Sequence, residues 1–348
     1  NKALKFAKYN GKAWEIETVD DGADSDVGRY SKLVYDGGAA TIAFLAMDAT
    51  ADGFAKSRVR LATRGTNGFT IEDVATNDST PCRAQLCNAG SKCVDGDGRC
   101  APPSTACGTC DAGTECVTLD GSAQCVTTLS AGKLDALPVA GGLYISLAKN
   151  PAGGLGIAYY DRVEGSLKVA AKDTAGWTSV TVDGGPQADG TYLDAGVGAS
   201  LFIDDGGDWH LSYVDGYNET LKYARVENGA VASIETVDDG LTLGGVDFPD
   251  GLHVVGDDSH IAVTPQGDVT ISYQDATNGK LRYATGTKTT TGHDWTVKVV
   301  DADNFGGFFS GQLDANGSRQ LLHWWRKLAP DSEGTLKMTG DVSIVGTP

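Results

Sequence analysis

SLKVAAKDTAGWTSVTVD, from Ser166 to Asp183, is one copy of a phrase that returns along the chain. It stands as ALKFAKYNGKAWEIETVD from Ala3, TLKYARVENGAVASIETVD from Thr220 and KLRYATGTKTTTGHDWTVKVVD from Lys280. Altered copies begin at Ser57 (SRVRLATRGTNGFTIEDVA) and Thr335 (TLKMTGDVSIV). A β-rich segment repeating at roughly 50 residues is the signature of propeller blades stacked around an axis. The repeat also sorts the residues: what every blade shares is scaffold, and what one blade changes is where function is to be sought.

A second phrase precedes the first. GGLGIAYYD (Gly153), GDWHLSYVD (Gly207) and GDVTISYQD (Gly267) share one spacing, and apolar and polar residues roughly alternate within them. That period belongs to strands. Further upstream lie short apolar runs: RYSKLVYD (Arg29), GLYISLAKN (Gly142), ASLFIDD (Ala199), SHIAVTP (Ser259) and GFFSGQLD (Gly307). Each unit therefore reads as four antiparallel strands, A to D, joined by Gly, Asp and Asn turns. The chain is all-β, a propeller of four-stranded blades over residues 28–75, 142–183, 198–238, 258–301 and 307–345. Asn1 falls at strand C of a further unit whose strands A and B are absent from the sequence. Six blades, the first incomplete, are the favoured count; five blades with an extra outer hairpin are the alternative. A half blade leaves an unpaired edge, so its missing strands belong to a longer chain or come from elsewhere, including a partner or a second copy. The expected organisation is residues 1–80 propeller, 81–126 a cysteine-rich insert, and 127–348 the remaining blades.

All eight cysteines lie in the insert, as CRAQLCNAGSKCVDGDGRC and CGTCDAGTECVTLDGSAQC. An even count in a short Gly- and Asp-rich stretch reads as a disulfide module from an oxidising compartment, and hence a secreted or cell-surface protein. Zinc is the rival, because Cys107 and Cys110 form a CxxC, but no histidines cluster with them. One pairing among many joins Cys82 to Cys93, Cys87 to Cys100, Cys107 to Cys116 and Cys110 to Cys125. The formal charge of −18 over 348 residues argues against nucleic acid, which needs a basic footprint. No apolar run is long enough to span a bilayer as a helix.

The insert resembles the short EGF-like cysteine knobs of bacterial surface proteins. The repeat outside it resembles secreted bacterial propellers that include sialidase-like and polysaccharide-lyase members. That likeness implies a propeller and, less specifically, saccharide ligands. The sialidase Asp-box, S-x-D-x-G-x-T-W, survives only as fragments such as NGKAW and DTAGW. The three-arginine carboxylate clamp has no clear counterpart: Arg29 sits at a strand entrance, while Arg58, Arg60, Arg225 and Arg282 occupy repeated strand C.

The D-to-A crossovers and B-to-C turns share one propeller face. Asp24, Asp26, Tyr192, Asp194, Asp247, Asp250, His253, Asp303 and Asn304 are expected to ring it. The oxygen-rich loops suit Ca2+, the candidate cofactor, with Asp24, Asp26, Asp194, Asp247, Asp250 and Asp303 as ligands; solvated turns are the plainer reading. Asp161, Asp215 and Asp275 recur in strand B and read as turn caps, and His210, also in a repeated strand, reads as packing. The last blade breaks the pattern with LLHWWRK, where His323, Trp324, Trp325 and Arg326 form a candidate saccharide platform, with Tyr192 and His253 as further ligand candidates; the rival is that this blade packs differently. Three functions follow: an extracellular binding or adhesion propeller for a saccharide or protein; a polysaccharide lyase or glycoside hydrolase; and a structural subunit completed by strand exchange.

Overall fold

The computed structural model describes residues 3–23, 25–49, 55–77, 91–94, 100–119, 121–128, 141–151, 153–162, 164–187, 192–241, 253–301, 305–315, 318–327 and 333–342. Regular structure among them is β throughout. A hairpin of Leu4–Tyr9 and Trp14–Asp20 comes first. Five antiparallel meanders follow. The first blade is Ser25–Asp36, Ala39–Ala49, Ala55–Gly65 and Gly68–Asn77; the second is Gly141–Lys149, Leu155–Asp161, Ser166–Asp173 and Gly176–Pro186, with Tyr192–Leu193 added at its edge. The third is Ala195–Ile203, Trp209–Asp215, Thr220–Glu227 and Ala230–Asp238; the fourth is Val255–Val263, Val269–Asp275, Lys280–Lys288 and His293–Asp301. The fifth has three described strands, Phe305–Ala315, Ser318–Lys327 and Glu333–Val342. The strands labelled A are neighbours from blade to blade, as inner strands around a propeller axis are.

The repeated phrase explains how blades join. Gly28, Gly142, Gly196, Gly256 and Gly307 open the five inner strands with φ of 94°, 111°, 117°, 106° and 87°. A Cβ on Gly196 would lie 2.8 Å from Leu167 and one on Gly142 2.8 Å from Val59 Cγ2; on Gly28, Gly256 and Gly307 it would crowd Leu4, Leu221 and Leu281 at 3.1–3.2 Å. The aliphatic residue that starts each strand C thus seats on the next blade's inner glycine, where only glycine tolerates both the conformation and the approach. The core lies in these interfaces. Between the second and third blades, for example, Leu167 and Val169 pack with Leu201, Leu211 and Tyr213.

Asp183 and Asp238 end the TVD phrases of their blades, and the following blade clamps them. Tyr213 O–H donates to Asp183 (2.7 Å) and Tyr273 O–H to Asp238 (2.5 Å). Arg282 bridges Asp238 (2.8 Å) and Asp275 (2.6 Å); Lys222 does the same less tightly with Asp183 (3.7 Å) and Asp215 (2.7 Å). Arg60 repeats the cross-blade half of the pattern with Asp20, and its second partner is Asp73 on the fourth strand of its own blade.

In the fifth blade Glu333–Val342 pairs with Ser318–Lys327, and residues 343–348 lie outside the described ones. The insert holds the hairpin Glu115–Leu119 with Ser122–Val126, a short pair Lys92–Cys93 with Cys100–Ala101, and a small core of Val94, Ala101 and Val117. Cys107 is bonded to Cys116 and Cys110 to Cys125. Cys82 and Cys87 lie outside the described residues, as do the side chains of Cys93 and Cys100.

Candidate functional site: the mouth of the axis

Two residues after each bulge glycine the inner strand turns left-handed again. The residues there are Tyr30, Tyr144, Gly198, Asp258 and Phe309, with φ of 52°, 52°, 64°, 50° and 50°. In every inner strand the ladder register shifts once across the glycine and once across this point. Left-handed backbone costs a residue with a Cβ roughly 1–2 kcal/mol. Gly198 shows that the scaffold needs no side chain there. Four blades nevertheless hold Tyr, Tyr, Asp and Phe in that strained conformation, which is how functional side chains are commonly kept.

These residues gather at the start of the inner strands, on the crossover face. Tyr30 and Tyr144 lie 5.0 Å apart between ring centroids, and Tyr144 lies 6.3 Å from Tyr160. Tyr160 O–H donates to Asp194 Oδ1 at 2.6 Å. The Phe309 N–H donates to Asp258 Oδ2 (2.9 Å), and the Asp258 N–H to Asp257 Oδ1 (3.0 Å). Phe309 is 79% exposed and Tyr30 40%. Burial pushes the Tyr144 phenol up, with Tyr30, Asp257 and Asp258 adding to it. The Asp258 carboxyl is raised chiefly by burial and further by Asp257, against the Phe309 N–H and the Lys32 ammonium. The mouth therefore combines open aromatic faces, hydrogen-bond acceptors, and one carboxyl inclined to keep its proton.

Of the residues expected from sequence, Asp194 is joined to this group and Asp26, paired with Arg29 at 2.9 Å, lies in the same inner strand as Tyr30. His253 was expected on the rim; instead it is 2% exposed, its Nδ1 3.1 Å from Asp275 Oδ2 under the B-to-C turn. His323 was expected in an open platform, yet it is fully buried and its Nδ1 accepts the Gly307 N–H at 3.0 Å. It supports the inner bulge of its blade. Trp324, Trp325 and Arg326 continue the same strand, but their side chains lie outside the described residues, as does that of Tyr192. Asp24, Asp247, Asp250, Asp303 and Asn304 lie outside them entirely. Among the described residues one trio of metal-type ligands converges, Cys107, Cys110 and Cys116, and all three are in disulfides. Sequence reasoning missed Tyr30, Tyr144, Asp257, Asp258 and Phe309. Their signal was present as GRY, GLY and GFF, a glycine followed two residues later by an aromatic at the opening of strand A.

A larger hollow of about 500 Å3 beside the N-terminal hairpin is lined by Phe6, Lys8, Tyr35 and Arg64. Arg64 there is already tied to Glu17 at 3.0 Å, and the hollow has no convergent set of buried polar groups.

No known protein family's sequence profile matches the chain, and no curated protein matches it. Solved structures do. AofleA from Arthrobotrys oligospora is 13% identical over 92% of this chain and 90% of its own, with a TM-score of 0.37. The WD40 domain of SCAP from fission yeast is 8% identical over 96% and 70%, at 0.41. An α-L-arabinanase from Cellvibrio cellulosa, solved with arabinohexaose, is 11% identical over 89% and 90%, at 0.37. The propeller architecture rests on the sheets and their packing, not on these likenesses.

Proposed function

We propose that the protein is an extracellular saccharide-binding propeller whose ligand sits at the mouth of the axis, on Tyr30, Tyr144 and Phe309. The observation that carries this reading is the strained aromatic at the same inner-strand position of three blades, exposed at Tyr30 and Phe309 and half-buried at Tyr144. Aromatic faces stack on the C–H face of a sugar ring, and Asp257, Asp258 and Asp194 accept its hydroxyls. The disulfides support an oxidising compartment, and no helix among the described residues is long and apolar enough to cross a membrane. An EGF-like role for the insert in adhesion, Ca2+ at the crossovers, and a partner strand on the N-terminal hairpin are finer parts of the same proposal.

Glycan-array binding of the intact protein, compared with Phe309→Gly and Tyr30→Gly, tests it. Replacing an exposed left-handed aromatic by glycine relieves about 1 kcal/mol or more of backbone strain. The melting temperature should hold or rise while glycan binding falls at least tenfold. A fall in melting temperature with binding intact would make these rings packing residues and end the proposal.

One observation favours a second reading as a glycoside-acting enzyme. A carboxyl whose pKa is raised by burial and by a neighbouring carboxylate is the environment of a general acid, and Asp258, raised chiefly by burial and further by Asp257, is shifted in that direction. Under this reading the protein releases nitrophenol from an aryl glycoside and Asp258→Asn abolishes the release.

A further inference from the structure

At the other end of the strands, where the A-to-B and C-to-D turns lie, the third and fourth blades leave a cleft of about 280 Å3 lined by Asp204, His210, Tyr223, Arg225, Glu235 and His293, among others. One blade earlier, the positions equivalent to His210, Tyr223 and Glu235 carry Gly156, Val169 and Val180. There the space is plugged: a Cβ on Gly156 would meet Ile203 and Trp209 of the next blade, each at 2.7 Å. In the fourth blade the counterparts of Ile203 and Trp209 are Val263 and Val269, so the plug shrinks and a hollow remains. The interval from the first residue of strand C to the tryptophan grows from 11 (Ser166 to Trp177) to 15 (Lys280 to Trp295). The extra length forms the 289–292 loop that walls the cleft. Departures from the repeat thus converge on one interface and turn an apolar contact into a polar opening.

The groups in the cleft are held before any ligand arrives. Burial above all holds the His210 imidazole below its ordinary pKa and hence neutral near pH 7, although Asp204 opposes this. The Tyr223 phenol is raised, chiefly by burial. Tyr223 O–H therefore donates to His210 Nδ1 (2.7 Å), and Nε2–H donates to Asp204 Oδ2 (3.3 Å). Glu235 accepts the Trp295 indole N–H (2.9 Å) and the His293 backbone N–H (3.1 Å), while the His293 ring spans from Glu235 to the Gly267 carbonyl. Arg225 lies between Asp208 (3.6 Å) and Glu227 (2.6 Å). Three lining carboxylates, Asp204, Asp208 and Glu235, face two lining cations, Arg225 and Lys288, leaving one net negative charge and disfavouring an anion. Paired acceptors next to a fork of guanidinium donors match vicinal hydroxyls. Preorganised groups bind without the cost of ordering them.

We propose that this cleft is a second binding site, separate from the mouth, for a single neutral pyranose unit of a glycan, with Asp204 and Glu235 accepting its hydroxyls and Arg225 donating to them. The probe is a panel of methyl glycosides of neutral hexoses and pentoses, read by saturation-transfer NMR on the whole chain. At least one member should bind. Ser233→Trp, which fills the cleft from its rim, and Glu235→Gln, which keeps the shape and removes the charge, should each weaken it at least tenfold while a cooperative melting transition is kept. Should Ser233→Trp unfold the protein, Glu235→Gln decides alone. No binding by any glycoside, or wild-type affinity in Glu235→Gln, overturns the proposal. Repeating the titration in a Phe309→Gly background separates the sites. Binding that survives there and is still lost on Glu235→Gln belongs to the cleft; binding lost there but untouched by Glu235→Gln belongs to the mouth and sinks the cleft.

Discussion

Asp238 shows what the shared residues of the repeat do. It is buried, and its Oδ2 takes both the Tyr273 hydroxyl and the Arg282 guanidinium from the next blade. Removing one partner of a buried pair strands the other, at about 3–5 kcal/mol. Asp238→Ala should therefore melt far earlier in chemical denaturation, whereas Asp36→Ala, which breaks an exposed pair with Lys149, should cost at most about 1 kcal/mol. Equal effects would remove the clamp from the account. Asp215 adds a pH dependence. Burial raises its carboxyl, but Lys222 and Asn218 together hold it below the ordinary value. A lowered folded pKa gives stability that is fully present above the unfolded value of about 3.9 and is lost as pH falls through the acid range. Melting curves between pH 7 and pH 3 should lose less stability on acidification in Asp215→Asn than in the wild type. The turn-holding role expected of Asp215 is visible too, since its Oδ1 accepts the N–H groups of Tyr217 and Asn218.

At the scale of the strand, the inner element is built from two left-handed positions with different purposes. The first, the glycine, is scaffold; the second carries side chains to the axis. Gly196→Ala must place its Cβ 2.8 Å from the Leu167 backbone, whereas Gly207, also left-handed at 89°, has open space around it. Both substitutions incur roughly 1–2 kcal/mol of backbone strain, and Gly196→Ala adds an overpacking cost of about 1–3 kcal/mol. Urea unfolding should rank Gly196→Ala as clearly the worse. A reversed order would mean the blades do not seat on these glycines. Phe309 and His323 give the lesson in legibility. LLHWWRK reads as an exposed exception because its residues break the strand B pattern, yet His323 is buried by the bulge it supports, a partnership 16 residues away. Phe309 reads as an ordinary strand residue when its own blade is read alone, because the signal appears only when GFF is set beside GRY and GLY of the other blades.

At the scale of the whole molecule, the repeat, the insert and the two candidate sites make independent claims. Denatured, unreduced protein should show no thiol labelling if Cys82, Cys87, Cys93 and Cys100 pair as Cys107, Cys110, Cys116 and Cys125 do. Four labelled thiols would confine the disulfides to the second unit. Millimolar Ca2+ should raise the melting temperature relative to EDTA if the crossover aspartates bind it, since a ligand of the native state stabilises by mass action. Coincident curves would remove Ca2+ from the proposal.

The sequence by itself determined the fold class and the four-strand blade. Strand periodicity, turn glycines and a repeated phrase are local properties, and each copy confirms the others. It also determined which blades depart from the pattern. Only the tertiary structure decided where those departures meet. Tyr30, Tyr144 and Phe309 converge because five inner strands run side by side around one axis. His210, Glu235 and His293 converge because the fourth blade's shorter plug leaves room beside the third. Side-chain identity is written along the chain, but neighbours across a blade interface are set by packing between segments dozens of residues apart, and no local pattern records them.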